Sequence, residues 1–135
     1  MTATVIWKEG LLFKGESNNH WVNVDTTVDG GGSNTGMNPK QLLLVSICGC
    51  TGMDVVGILK KMKVPYTQLT IIAEAEQTHD DPKVFKWVNL IYKTDVNEND
   101  LDKLKKAIEL SQTKYCGVSI MIKKHCPINY TIELI

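Results

Sequence analysis

Hydrophobic residues open the chain in three short runs, residues 4–8, 11–15 and 21–25, each rich in β-branched or aromatic side chains. Glu9-Gly10 and Ser17-Asn18-Asn19 supply turn residues between them, which predicts an antiparallel meander. Residues 30–36, Gly-Gly-Gly-Ser-Asn-Thr-Gly, then break the pattern. They do not make a phosphate loop: Met37-Asn38 stand where a Walker sequence needs Lys and Ser/Thr, and Thr35 replaces the third glycine of a dinucleotide fingerprint. A flexible linker is expected here. Asn38-Pro39 marks a helix start, with Asn as cap and Pro in the first turn. The helix runs from Leu42 to about Lys63, ahead of Pro65. Its first half is apolar nearly all the way round, a pattern that calls for burial on every side. In a chain of 135 residues that favours a partner subunit over one face.

Residues 67–76 and 84–93 have strand composition, and Asp80-Asp81-Pro82 lies in the turn between them. Asn99 or Asp100 caps a further helix, with Leu101, Leu104, Ala107, Ile108 and Leu110 at helical spacing. A second helical stretch covers 115–124, Pro127 stops it, and 128–134 alternates as a final strand. This order predicts an α+β fold in one domain spanning 1–135, without internal repeats.

Composition narrows the function. With 43% hydrophobic and 22% charged residues the chain has material for a core, which argues against disorder and against a disulfide-stapled miniprotein. Net charge is zero, so the basic excess of a nucleic-acid binder is missing and little charge repulsion opposes self-association. All fifteen cations are Lys; without Arg, bidentate guanidinium recognition is unavailable. The longest apolar stretch, 42–48, is interrupted by Ser46 and falls short of the ~20 residues that span a bilayer. The N-terminal residues lack a basic start and a long apolar region, so a cytoplasmic protein with no membrane association and reduced cysteines is expected.

Candidate chemistry centres on Cys48, Cys50, Cys116 and Cys126. A zinc site from Cys48, Cys50, His125 and Cys126 is disfavoured, because residues two apart on a helix point about 200° away from each other and no Cys-x-x-Cys spacing occurs. No metal or cofactor is therefore expected. As redox groups, Cys50 sits between Gly49 and Gly52, which leave its sulfur uncrowded, and Cys116 lies near a helix start, where amides and the dipole favour thiolate. The plain alternative is four small apolar core residues. Asp54, one turn beyond Cys50, is either an opposing like charge or a hydrogen-bonded structural carboxylate. His20 and His79 read as solvated and His125 as a helix-end cation. Trp7, Phe13, Trp21, Phe85, Trp87 and Tyr115 line an apolar pocket or pack the core.

The segment Gly49-Cys50-Thr51-Gly52-Met53-Asp54-Val55-Val56-Gly57-Ile58-Leu59-Lys60-Lys61-Met62 resembles the OsmC/Ohr family of thiol peroxidases, as does Leu110-Ser111-Gln112-Thr113-Lys114-Tyr115-Cys116-Gly117-Val118-Ser119. Asn38-Pro39 fits as well, and the likeness runs through essentially the whole chain. The resemblance implies an OsmC-like fold, interlocked as a homodimer with active sites at the subunit interface. It also implies Cys50 as the thiol that attacks an organic hydroperoxide, Cys116 as the thiol that resolves the sulfenic acid, and a small dithiol or lipoyl group as reductant. The chain departs from the family in lacking the activating Arg and in carrying Lys40 where its partner Glu stands. Those departures favour a second reading, an OsmC-fold protein that binds a small molecule or acyl group with little peroxidase turnover.

Overall fold

The protein is described by a computed structural model covering residues 1–135. The chain forms two compact units, Met1–Leu43 and Leu44–Ile135. The first is the expected meander: β1 (Thr4–Glu9), β2 (Leu12–Ser17) and β3 (His20–Val24) pair antiparallel in that order. Their register aligns Val5 with Gly15 and Val22, and Trp7 with Phe13 and Val24, so one face of the sheet is apolar. Little of it is covered: Val5 and Trp7 are each about 60% exposed, at 61% and 62%. On the other face the Lys14 ammonium lies 3.7 Å from the centre of the Trp21 ring, a cation–π contact.

The glycine-rich segment differs from the flexible linker its composition predicts. It folds around the buried carboxylate of Asp25, which accepts hydrogen bonds from the backbone N–H groups of Thr26, Ser33 and Thr35 and from the Thr35 hydroxyl. The Thr35 hydroxyl and these amides hold the Asp25 carboxyl down at about 2. The glycines permit this close path. A Cβ at Gly32 would stand 2.4 Å from the Thr26 carbonyl oxygen, and one at Gly36 would stand 2.5 Å from that of Asn23. Composition records turn propensity, but it does not show that a single carboxylate can gather four donors and fix the loop.

Helix α1 (Pro39–Lys61) starts where Asn38-Pro39 indicates. Asn38 Oδ1 accepts the Gln41 N–H at 2.9 Å and Gln41 Oε1 accepts the Asn38 N–H at 2.9 Å, a reciprocal capping box. Its length and a mean hydropathy of 2.1 would suffice to cross a membrane, yet a stripe of it belongs to a packed protein core. That stripe is Ile47, Thr51, Val55 and Leu59, spaced four apart and fully buried. Burial on every side, expected from the sequence, is not what the chain alone provides: Val45 is 53% and Met53 74% exposed. One chain supplies one covering layer, and the remaining apolar face is left open.

That layer is a second three-stranded sheet, ordered β4 (Leu69–Gln77), β5 (Phe85–Thr94), β6 (Ile128–Leu134). The pair β4–β5 is antiparallel and β5–β6 parallel. Central strand β5 buries every second residue, Val88, Leu90, Tyr92 and Thr94, and these join the α1 stripe in the core with Leu104, Ala107 and Ile108 of α2 (Leu101–Leu110). The crossover from β5 to β6 departs from the sequence expectation in one detail. After α2 the helix widens into a π turn, Ser111–Tyr115, closed by the Cys116 N–H donating to the Ser111 carbonyl at 2.8 Å. Helix α3 then starts at Gly117, not at 115, and runs to Lys123 with Cys116 as its cap residue.

Candidate thiol site and its hydrogen-bond network

Two segments far apart in sequence bring chemistry together. Cys50 and Asp54 lie one turn apart on α1, and Cys116 sits in the junction between the π turn and α3. The two sulfurs and a carboxylate oxygen of Asp54 all lie within 4.8 Å of one another. Cys50 is partly accessible, whereas Cys116 is fully buried. Burial pushes the Cys116 thiol up; the adjacent Cys50 sulfur adds to this, and hydrogen bonds with Ser119 oppose it. The Ser119 N–H donates to Cys116 Sγ at 3.3 Å, so the same sulfur caps α3.

Under the pair lies a buried polar network that sequence reasoning did not find. Thr51 Oγ1 is 2.7 Å from the Tyr92 hydroxyl and 2.8 Å from Ser111 Oγ. Gln112 Nε2 donates to Thr51 Oγ1 at 3.2 Å and to Ser119 Oγ at 3.1 Å. Ser111 Oγ also donates to Asp54 Oδ2 at 3.0 Å. Tyr92, Thr51 and Ser111 each bring one hydroxyl proton, and there are three links to fill, the last ending on the carboxylate. Burial pushes the Tyr92 phenol up to about 12, and its hydrogen bond with Thr51 opposes the shift. Lys123 Nζ donates to the Gln112 carbonyl oxygen at 2.6 Å, tying α3 to the π turn. A signal for the network was present in the sequence. Thr51, Ser111 and Gln112 are polar residues at positions the helical spacing assigns to the core, and buried polar groups need partners.

Asp54 also lines a cleft of about 220 Å³ with Met53, Gly57, Ile58, Lys61 and Tyr115. A larger apolar groove, about 590 Å³, lies beside Cys48 and is lined by Leu44, Gly52, Val56, Leu69 and Ile71; neither Cys50 nor Cys116 opens into it. Neither Cys48 nor Cys126 belongs to the cluster of Cys50, Asp54 and Cys116. Burial pushes the Cys48 and Cys126 thiols up, and Cys126 belongs to the core. His125 Nε2 is 2.9 Å from the Phe85 carbonyl oxygen, a structural contact. His20 and His79 are exposed. Trp87 Nε1 donates to Glu76, and Trp7 Nε1 to the Gly10 carbonyl, so each indole is committed within its own sheet.

Known proteins share this fold. A family model described as OsmC-like protein matches residues 30–131. The chain is 29% identical to Protein YhfA of Escherichia coli K12 over 136 aligned positions, covering 100% of this chain and 98% of that protein. A hypothetical protein from Aquifex aeolicus VF5 superposes with a TM-score of 0.82 at 26% identity, covering 99% of this chain and 96% of its own. An organic hydroperoxide resistance protein OsmC from Legionella pneumophila superposes with a TM-score of 0.71 at 17% identity, covering 98% and 96%, and at that distance shares the fold alone.

Proposed function

Because the chain belongs to the OsmC-like family, we propose that it is a thiol-dependent reductase of organic hydroperoxides, with Cys50 the attacking and Cys116 the resolving thiol. The observation that carries this reading is the meeting of the two sulfurs within 4.8 Å, from segments far apart in sequence. Their different settings support this division of roles. Partly accessible Cys50 can meet a peroxide, while Cys116 is buried and burial pushes its thiol up. Cys50 thiolate attacks the distal peroxide oxygen, the O–O bond breaks, and the alcohol leaves with a proton. Cys116 sulfur then attacks the Cys50 sulfenic acid, water departs, and a disulfide remains for a dithiol or lipoyl reductant to open by exchange. With no Arg in the chain, the polar groups around the sulfurs are Asp54, Ser111, Gln112 and Ser119.

The reaction is expected in the cytoplasm and in a homodimer. The apolar face of the β1–β3 sheet and the open face of α1 support the dimer, since a monomer would leave Val5, Trp7, Val45 and Met53 in water. Sedimentation at micromolar concentration should find two chains; a stable monomer would contradict this part of the proposal.

The large apolar groove beside Cys48 and the missing Arg favour one competing reading, a protein that binds acyl groups without turnover. Consumption of cumene hydroperoxide with excess dithiol decides between them. Rapid loss abolished by Cys50→Ser, with Cys116→Ser accumulating sulfenic acid, is the expected result. Loss no faster than with dithiol alone would overturn the peroxidase and leave the groove as the site of function.

A further inference from the structure

The thiol site gathers two thiols and a carboxylate, and its hydrogen-bonding neighbours are neutral. The salt bridges of Lys86 with Glu76, Lys93 with Glu133 and Lys103 with Asp100 lie elsewhere, and Asp54 is bound by a serine hydroxyl. Groups that are all anionic when deprotonated, held side by side, suit a cation. We propose that the reduced protein binds one thiophilic divalent metal ion, Zn²⁺ as the reference case, through Cys50 Sγ, Cys116 Sγ and a carboxylate oxygen of Asp54.

The geometry is suited to it. Tetrahedral zinc–sulfur bonds of about 2.3 Å place two thiolates roughly 3.8 Å apart, inside the 4.8 Å within which all three ligand atoms lie. Outer partners that orient ligands are already present: Ser111 donates to Asp54 Oδ2, Thr51 braces Ser111, and the Ser119 N–H donates to Cys116 Sγ. Three protein ligands leave a fourth position for water, and the site is partly accessible through Cys50 and Asp54. This set differs from the Cys48, Cys50, His125 and Cys126 combination that the sequence suggests and disfavours. Here the helix supplies ligands four residues apart, which share a face, instead of two apart, which do not.

Resting on the peroxidase reading, the metal also acts as a regulator, because metal and disulfide use the same sulfurs. Two zinc-bound thiolates, one hydroperoxide and two protons yield one disulfide, free Zn²⁺, one alcohol and one water; the sulfurs lose two electrons and the O–O bond gains them. Bound zinc slows the attack on peroxide by occupying the thiolates, and oxidation, once complete, expels zinc.

The test uses the full chain, reduced, stripped of metal and freed of reductant. Titration with Zn²⁺ against a chromophoric chelator should give one ion per chain in wild type, Cys48→Ser and Cys126→Ser. Binding should vanish in Cys50→Ser, in Cys116→Ser and in oxidised wild type, and weaken by about tenfold or more in Asp54→Asn. Co²⁺ should show sulfur-to-metal charge transfer. Zinc retained by Cys50→Ser or by the oxidised protein, or held by Asp54→Asn as tightly as by wild type, would overturn the site. Single-turnover thiol oxidation by cumene hydroperoxide, with and without one equivalent of zinc, separates the two proposals. No oxidation in metal-free protein refutes the peroxidase while leaving the zinc result standing, and oxidation unaffected by bound zinc refutes the regulation.

Discussion

Replacing Thr51 by Val keeps the shape of a fully buried side chain and removes the hydroxyl on which three hydrogen bonds converge. The consequences for its partners are unequal. Ser111 keeps Asp54 and Gln112 keeps Ser119, but the Tyr92 hydroxyl loses its partner inside the core. One orphaned buried hydroxyl costs about 1–3 kcal/mol, so Thr51→Val should destabilise the protein by about 2 kcal/mol. With a urea m-value of about 1.5 kcal/mol/M the midpoint should fall by about 1.3 M. Adding Tyr92→Phe removes the orphan, so the two substitutions should be less than additive by about 1 kcal/mol. The assay is urea unfolding of all four proteins at one fixed concentration, because association makes apparent stability depend on concentration. A Thr51→Val shift below about 0.3 M, or strict additivity of the pair, would refute the claim that these hydrogen bonds are made and dry. Ser111 and Gln112 also hold the turn that carries Cys116, so Thr51→Val should slow disulfide formation between Cys50 and Cys116 even where the protein is fully folded.

Two further expectations follow from ionisation. The Tyr92 phenol is raised from 10 to about 12 in the folded protein, so its contribution is present below pH 10 and lost as pH rises toward 12. Ultraviolet titration of wild type against Tyr92→Phe should show one tyrosine ionising late, or only with unfolding; its ionisation near 10 in folded protein would contradict its burial. Asp25 shows the opposite sign. Its carboxyl is lowered from 3.8 to about 2, so its support of the loop is complete above pH 3.8 and lost as pH falls through 2. Asp25→Asn should therefore speed amide exchange at Ser33 and Thr35 at neutral pH, with the difference from wild type shrinking near pH 2, and equal exchange at pH 7 would count against the clamp.

Much of this architecture is legible in the residues themselves. The three opening strands, the Asn38-Pro39 start of α1, the pair β4–β5 and the terminal strand fall within a few residues of where apolar patterning and turn residues put them, because those signals are local. The juxtaposition of Cys50 with Cys116 is implied by resemblance, since spacing along a chain carries no distance across a core. The π turn escaped because its cause is not local. Ser111 and Gln112 are drawn inward to Thr51, and the backbone widens to let them reach it. The apolar circumference of α1 states what must eventually be covered, and one chain fully buries the stripe of Ile47, Thr51, Val55 and Leu59.

The cap of α3 has a consequence beyond the site. This helix is seven residues long, and the acceptor for its Ser119 amide is the Cys116 sulfur. A short helix depends heavily on its first turn, and a sulfur engaged in a disulfide is a differently aimed acceptor from a free thiol. The backbone of α3 would thus register the oxidation state of a side chain: protected when the thiol is reduced, frayed when it is spent. A single amide, that of Ser119, would become an internal gauge of the sulfur's chemistry, readable by hydrogen exchange.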